Sequence, residues 1–212
     1  MTFQGELGAR ENSNRRITMI VLAAGLSSRF GRNKMLEPVE NTPLLVRVVS
    51  TALRSRVSEV LVVSGHDDQK VRSLLQGYGC RIVFNEDYMK GQSFSVRKGL
   101  SAASPDANAI MIQPGDMALT SEKIINRVID KYEQTRAPIV SASHQGRSGH
   151  PILFDRSLFK EIMEIDESTR GLKKVVVNHL SQAVTVEAGT GALFDLDTQD
   201  DLKRFEKLKL EK

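Results

Sequence analysis

Apolar residues along this chain fall into two kinds of run. ITMIVLA (17–23), EVLVVSG (59–65), CRIVF (80–84) and NAIMIQ (108–113) are short, continuous and rich in β-branched residues, the pattern of strands buried on both faces. Between them lie segments with helical spacing. TPLLVRVVSTALRS (42–55) puts Leu45, Val48, Val49 and Ala52 on one face, DDQKVRSLLQGYG (67–79) does the same with Val71, Leu74 and Leu75, and SEKIINRVIDKYEQ (121–134) with Ile124, Ile125, Val128, Ile129 and Tyr132. Strands alternating with helices of this length predict right-handed crossovers and an α/β fold of three layers, α/β/α, around a mostly parallel, Rossmann-like sheet. Residues 138–154 predict two strands around a Gly-rich turn and AVTVE (183–187) another strand. The terminal TQDDLKRFEKLKLEK predicts an amphipathic helix N-capped by Thr198. Residues 1–16 are polar and aperiodic, so a disordered tail is expected ahead of a single domain spanning 17–212.

The chain has 212 residues and one cysteine, Cys80, expected as a buried strand residue, so no internal disulfide framework is available. No apolar run reaches the ~18 residues of a membrane span, and the first residues lack the apolar stretch of a secretory signal. A reducing, cytoplasmic setting is the expectation, with no membrane partner. The net charge of +4 is local: residues 1–34 carry six basic and two acidic residues, and the remainder is neutral. A nucleic-acid footprint would spread its cations over a face, and 5% aromatics without Trp give few stacking platforms, so no nucleic-acid partner is expected.

The chemistry concentrates after the first strand, in VLAAGLSSRFGRNKM (21–35). In open α/β sheets ligands bind beyond the carboxyl ends of strands, near a topological switch point. Gly25 and Gly31 allow close backbone approach, successive N–H groups there suit phosphate oxygens, Arg29 can grip a phosphate bidentately and Lys34 can add a point charge. This is neither a Walker A loop nor a Gly-x-Gly-x-x-Gly fingerprint; it reads as a triphosphate cradle. Asp116 follows the strand NAIMIQ and a Pro-Gly turn, at the same sheet edge. Asp195 and Asp197 precede the last helix and share a side if that segment is extended; Asp197 read alone also suits a helix N-terminus. His150 lies between Gly149 and Pro151, His66 follows a strand end, and Ser93 and Ser95 lie where a helix opens near Phe94, suited to ligand contact or to ordinary capping. Asn85, after CRIVF, suits base recognition or a turn. No His/Cys cluster has zinc spacing.

LAAGLSSRFGRNK resembles the signature of the nucleotidyltransferases that act on the molybdenum cofactor, the cytidylyltransferase and molybdopterin-guanine dinucleotide synthase-like family, whose fold is of the nucleotide-diphospho-sugar transferase type. GQSFSVRKGL (91–100), PGDMALT (114–120), GRSGHPILF (146–154) and FDLDTQDDL (194–202) are similar to further family segments, with Ala118 and Gln199 where Pro is usual. IDESTRGLKKVV (165–176) departs most, Ser168 and Thr169 intervening before Arg170. The resemblance implies Arg29, Lys34 and Asp116 as catalytic residues. It implies Ala23, Ala24, Gly25, Leu26, Ser27, Gly65 and Ser95, with Lys34 and Asp116, as nucleotide contacts, Asp116 and Asp197 as ligands of Mg²⁺ (Asp195 the fallback), and His150 and Arg147 facing the second substrate.

The expected activity is transfer of CMP from CTP to the terminal phosphate of molybdopterin, with release of pyrophosphate; a molybdenum enzyme of the hydroxylase type is a further expected partner. A guanylyl-, sugar- or isoprenoid-phosphate nucleotidyltransferase, a non-catalytic carrier of the molybdenum cofactor, and a nucleotide-binding regulatory module remain as alternatives.

Overall fold

The computed structural model describes residues 15–28, 30–198, 200–201 and 203–205. The chain builds β1 (Ile17–Ala23), a small antiparallel pair β2 (Pro38–Val39) and β3 (Thr42–Pro43), α1 (Leu44–Arg54), β4 (Glu59–Ser64), α2 (Asp68–Leu74), β5 (Arg81–Phe84), α3 (Gln92–Ala102), β6 (Ala109–Pro114), α4 (Glu122–Thr135), β7 (Ile139–His144), β8 (Arg147–Asp155), α5 (Phe159–Met163), α6 (Leu172–Asn178) and β9 (Ala183–Glu187).

The apolar runs become strands because each can bury both faces. In β1, Ile17, Met19, Val21 and Ala23 pack toward α1, α2 and α4, while Ile20 and Leu22 pack toward α3, α5 and α6. A period-two backbone between two helical layers buries side chains on both faces, and all seven residues of β1 are buried, Thr18 with its hydroxyl donating to Glu59 Oε2 at 2.7 Å. α4 is N-capped by Ser121, whose side chain accepts from the Ile124 N–H. It buries Ile124, Ile125, Val128, Ile129 and Tyr132, each apolar side chain contributing about 1.5–3 kcal/mol.

The main sheet has the order β5-β4-β1-β6-β8-β7-β9. β1 pairs in parallel with β4 on one side and β6 on the other. β8 runs antiparallel to both β6 and β7, and β7 pairs in parallel with β9, so one strand of the seven is reversed. The order turns about β1, which places a switch-point crevice beyond the carboxyl ends of β1 and β6.

Some expectations are corrected. Cys80 precedes β5 and is only partly buried. The helix expected over 67–79 ends at Leu74. α3 opens at Gln92, not near Phe94, and its N-cap residue is Gly91. α5 and α6, five and seven residues long, are too short to register as periodicity. Arg15 lies over the Tyr132 ring, 5.6 Å from its centroid, and the Arg16 N–H donates to Asn108 Oδ1 at 3.0 Å; the rest of the expected tail, residues 1–14, lies outside the described residues. Thr198 does cap: its N–H and hydroxyl donate to Asp201 Oδ2 at 2.8 and 2.7 Å, and its Oγ1 accepts from the Asp201 N–H at 3.3 Å. No described helix is long and apolar enough to cross a membrane.

Candidate active site

The loop after β1 is braced from its far end. Asn33 Oδ1 accepts from the Met35 N–H at 3.1 Å and caps a single 3-10 turn, Lys34–Leu36, which the buried Met35 pins to the core. Asn33 Nδ2 donates to Asp67 Oδ2 at 3.2 Å, and the Lys34 N–H donates to Ser27 Oγ at 3.2 Å. Lys34 is thereby fixed beneath the loop. Above it, Gly25 and Leu26 are exposed, and a Cβ built on Gly25 would meet no protein atom within 4 Å. The glycine therefore leaves backbone open toward the solvent side of the loop, where a ligand can come close.

A cleft of about 410 Å³ opens there, lined by Leu22, Ala24, Gly25, Leu26, Ser27, Ser28, Lys34, Met35, Tyr88, Met89, Gly91, Gln92, Ser95, Pro114, Asp116 and Asp197. Lys34 Nζ donates to Asp116 Oδ2 at 2.6 Å and to Asp197 Oδ1 at 2.7 Å. Asp116 arrives on the turn after β6. Asp197 is brought to it by the 194–197 segment, whose Leu196 N–H donates to the Asp116 carbonyl at 3.1 Å while Phe194, Leu196 and Phe205 pack with Val39, Leu44 and Ala118. The three charged side chains are 11, 16 and 21% exposed. Burial pushes the Lys34 ammonium down, but the charge and hydrogen bonds of Asp116, and then of Asp197, push it further up, so its net position is above the usual lysine range. Asp116 Oδ1 is buried and has no hydrogen-bond partner among the described residues.

A second cleft, of about 550 Å³, lies on the other side of the first turn of α3. Gln92 lines both clefts. Val96, Ile112, Ile152, Phe154, Leu172 and Val176 give the second one apolar walls, and His150, Glu167, Arg170, Lys173 and Asp195 are its charged or titratable lining. Burial holds the His150 imidazole below the ordinary histidine range, against a contact with the Ile112 carbonyl at 3.4 Å and the charges of Asp116 and Asp195. Burial also raises the Asp195 carboxyl, with the charges of Asp197 and Asp116 adding to the effect.

Of the residues singled out from sequence, Ala24, Gly25, Leu26, Ser27, Lys34, Ser95, Asp116 and Asp197 meet around the first cleft, and His150 lines the second. Ser93 and Asp195 also line the second, while Ala23, Gly65, Arg147 and His66 line neither. Ala23 is sealed in the sheet, 0% exposed. Gly65 makes room: a Cβ there would lie 2.6 Å from Tyr88 Cβ and 2.8 Å from Ala24 Cβ, so its lack of a side chain lets two lining residues pack. Arg147 is exposed at the β7–β8 hairpin, opposite His144, and lines neither cleft; the alternate positions Ser148, His150, Ile152 and Phe154 line the second. His66 lies beside Asp67, 3.5 Å away, and lines neither cleft. Asp195 and Asp197 divide, one to each cleft. Asn85 is buried and donates to Ser95 Oγ at 3.1 Å. Neither Ser93 nor Ser95 caps α3; the Ser93 N–H is taken instead by Glu167 Oε1 at 2.6 Å. Arg29 lies outside the described residues. Reading the sequence alone missed Tyr88, Met89 and Gln92, which sit in or next to the GQSFSVRKGL segment; Glu167, Arg170 and Lys173 lie in IDESTRGLKKVV, the segment that departs most from the family pattern and whose part in a second pocket the sequence left open.

A Gly-bearing loop at a switch point, with a lysine held between two carboxylates, sets a cleft at the carboxyl edge of an α/β sheet, the place where folds of this class bind their ligands. Comparison with known proteins makes the class definite. The chain matches the MobA-like NTP transferase domain over residues 19–184, and it belongs to that family; its fold is of the nucleotide-diphospho-sugar transferase type. It is 25% identical to the molybdenum cofactor cytidylyltransferase of Escherichia coli over 87% of this chain and 93% of that one. It is 32% identical to the nicotine blue oxidoreductase of Paenarthrobacter nicotinovorans over 67% of this chain and 72% of that one. Among solved structures it is similar to Rv0371c of Mycobacterium tuberculosis, with TM-score 0.81 and 27% identity over 91% of this chain and 98% of that one; that protein has also been solved in complex with manganese.

Proposed function

We propose that this chain is a divalent-metal-dependent nucleotidyltransferase that joins CMP from CTP to the terminal phosphate of molybdopterin. In this reaction an ionised phosphate oxygen of the acceptor bonds to the α-phosphorus of CTP, the bond from that phosphorus to the bridging oxygen breaks, and pyrophosphate leaves with the electron pair. No proton has to be removed from the nucleophile, so a general base is not required. The protein's task is positioning two polyanions and stabilising charge.

The observation that carries this reading is Lys34, locked beneath the open Gly25 loop and bonded to Asp116 and Asp197. Its ammonium stays protonated and sits where triphosphate oxygens would enter the cleft, with Arg29 as a second cation of the same loop. Backbone groups of Ala24, Gly25 and Leu26 are positioned to follow the nucleotide, with Ser95 on the facing wall. The residues also fit a Mg²⁺ ion. Asp116 offers a buried oxygen with no hydrogen-bond partner among the described residues. The ligand set would then be Asp116 and Asp197 completed by phosphate oxygens, as Mg²⁺ prefers. When bound, the ion neutralises charge on the triphosphate and on the departing pyrophosphate. The 25% identity over nearly the whole length to a molybdenum cofactor cytidylyltransferase supports the choice of CTP and molybdopterin.

The test is pyrophosphate release with molybdopterin as acceptor and CTP, GTP, ATP and UTP in competition. CTP should be used preferentially, and Asp116→Ala should abolish turnover while the protein stays folded. Preference for another nucleotide would replace the base assignment. Tight binding of the finished dinucleotide without pyrophosphate release would replace catalysis with a carrier role.

A further inference from the structure

Asn85 is held on every side but one. Its N–H donates to the Ser64 carbonyl at 2.9 Å, one residue beyond β5, and its own carbonyl accepts from the Tyr88 N–H at 3.3 Å. Its side-chain Oδ1 accepts from the Asp87 N–H at 3.1 Å, which fixes the way the amide is turned. The Nδ2 group therefore faces Ser95, and it donates to Ser95 Oγ at 3.1 Å. Both residues are buried. An amide N–H cannot accept a proton, so the hydroxyl proton of Ser95 has to point away from Asn85. A serine in a helix commonly returns that proton to the carbonyl four residues earlier. Here that residue is Gly91, which stands outside the helix at φ +115° and ψ 176°, and no described residue accepts from Ser95 Oγ. Ser95 lines the first cleft, and the cleft is where its proton can find an acceptor.

The sheet order says which part of a nucleotide meets that proton. Lys34 and Asp197 gather at Asp116, beyond β6, whereas Asn85 follows β5. In the order β5-β4-β1-β6 the two strand ends are three spacings apart, roughly 14 Å. With the phosphates at the Lys34 end, the base reaches toward Ser95 and Tyr88. We propose that Asn85 is a positioning residue for base selection: it holds the Ser95 hydroxyl as a hydrogen-bond donor toward the base, so this wall of the cleft takes a base that presents an acceptor. Cytosine carries two adjacent acceptors on its pairing edge, O2 and N3. Guanine carries two adjacent donors there, N1–H and the 2-amino group. This selection rests on the transferase reading and deepens it, since the polarity of one buried hydroxyl favours CTP over GTP. Asn85, suited from sequence to base recognition or to a turn, does both: it makes the turn itself and acts on the base through Ser95.

Calorimetric binding of CTP and of GTP, each with Mg²⁺ and without acceptor, tests this. Ser95→Ala should weaken CTP about tenfold, the worth of one hydrogen bond, and leave GTP unchanged. Asn85→Asp keeps an oxygen for the Asp87 N–H and, at pH 8, offers Ser95 an ionised acceptor in place of a donor. The hydroxyl then turns to residue 85, its lone pairs face the base, and the preference for CTP over GTP should fall about tenfold. In the Ser95→Ala background the same substitution should change neither affinity. Equal weakening of both nucleotides by Asn85→Asp, or the same loss of CTP with and without the Ser95 hydroxyl, overturns the proposal. So does a wild type that prefers GTP or binds neither nucleotide. Should Asn85→Asp fail to fold, the side-chain amide signals of Asn85 in nitrogen-15 spectra decide. They should shift in Ser95→Ala, and again when CTP binds to the wild type; signals that stay still overturn the proposal. CTP binding with the expected pattern but without pyrophosphate release to molybdopterin would sink the transferase reading alone.

Discussion

Replacing Lys34 by Met removes an ammonium that holds two carboxylates together, and the consequences for stability and for chemistry can be separated. The two hydrogen bonds, 2.6 and 2.7 Å long, join groups that are 11–21% exposed, a setting between a surface pair worth about 0–1 kcal/mol and a buried pair whose disruption costs about 3–5 kcal/mol. With Asp116 and Asp197 left facing each other, a loss of about 2–3 kcal/mol is expected, or about 4–12 °C in melting temperature for a chain of this size. Because the folded-state pKa of Lys34 lies above its ordinary value of 10.5, the stabilisation is fully present below that pH and lost only as pH rises through the higher folded value. The gap between wild type and variant should therefore be constant from pH 6 to 9. Turnover should fall by about 10²–10³, the usual loss when a fixed charge facing a transition state is removed. The decisive comparison is Lys34→Met with Asp197→Asn against Asp197→Asn alone, followed by circular dichroism melting and by binding of pyrophosphate without added metal. Removing one uncompensated carboxylate should recover part of the stability lost in Lys34→Met, while pyrophosphate binding stays weaker than in Asp197→Asn alone. If the two variants bind pyrophosphate equally, Lys34 serves only to neutralise its neighbours and the phosphate-binding role assigned to it is wrong.

Gly25→Val should fold with an unchanged melting temperature, since its Cβ meets nothing within 4 Å, yet raise the KM for CTP at least tenfold by filling the cleft; a normal KM would mean that the nucleotide does not pass over this loop. His150 is held below its ordinary pKa by burial, so the unfolded chain takes up the proton first: the stability it contributes is present above pH ~6.5 and declines as pH falls through its lower folded value. Melting curves from pH 5 to 8 should show that decline flattened in His150→Gln, and identical slopes would exclude His150 as its source. Tyr132→Phe, at the opposite edge of the sheet, removes a hydroxyl that donates to Asp155 Oδ2 at 2.5 Å; it should cost about 1–2 kcal/mol and leave turnover untouched, a loss of activity being the unexpected result. The same hydroxyl, pushed up to about 12 by burial and by Asp155, should titrate late in an ultraviolet pH scan.

What the sequence determined by itself is what depends on short-range pattern. The seven residues of β1 had to be a strand buried on both faces because every position is apolar or small enough to bury, and α4 had to be amphipathic because its apolar residues recur every three to four positions. The open loop after β1 followed from the clustering of Gly and Ser, and the place of Asp116 from a strand ending in Pro-Gly. What only the tertiary structure decided are meetings between residues far apart in the chain. Lys34 finds Asp197 across 163 positions because a third apolar cluster, with Leu196 and Phe205 at its centre, folds the last segment back onto the turn after β6. Glu167 serves the Ser93 N–H across 74 positions, a service that the serines of the segment itself were expected to perform. Arg147 lines neither cleft because side chains alternate along β8 and Ser148, His150, Ile152 and Phe154 take the second cleft, and Gly65 turns out to serve packing because Tyr88 and Ala24 converge on it. Local sequence specifies which groups need partners; which partner arrives depends on how the layers stack, and that is a property of the whole core.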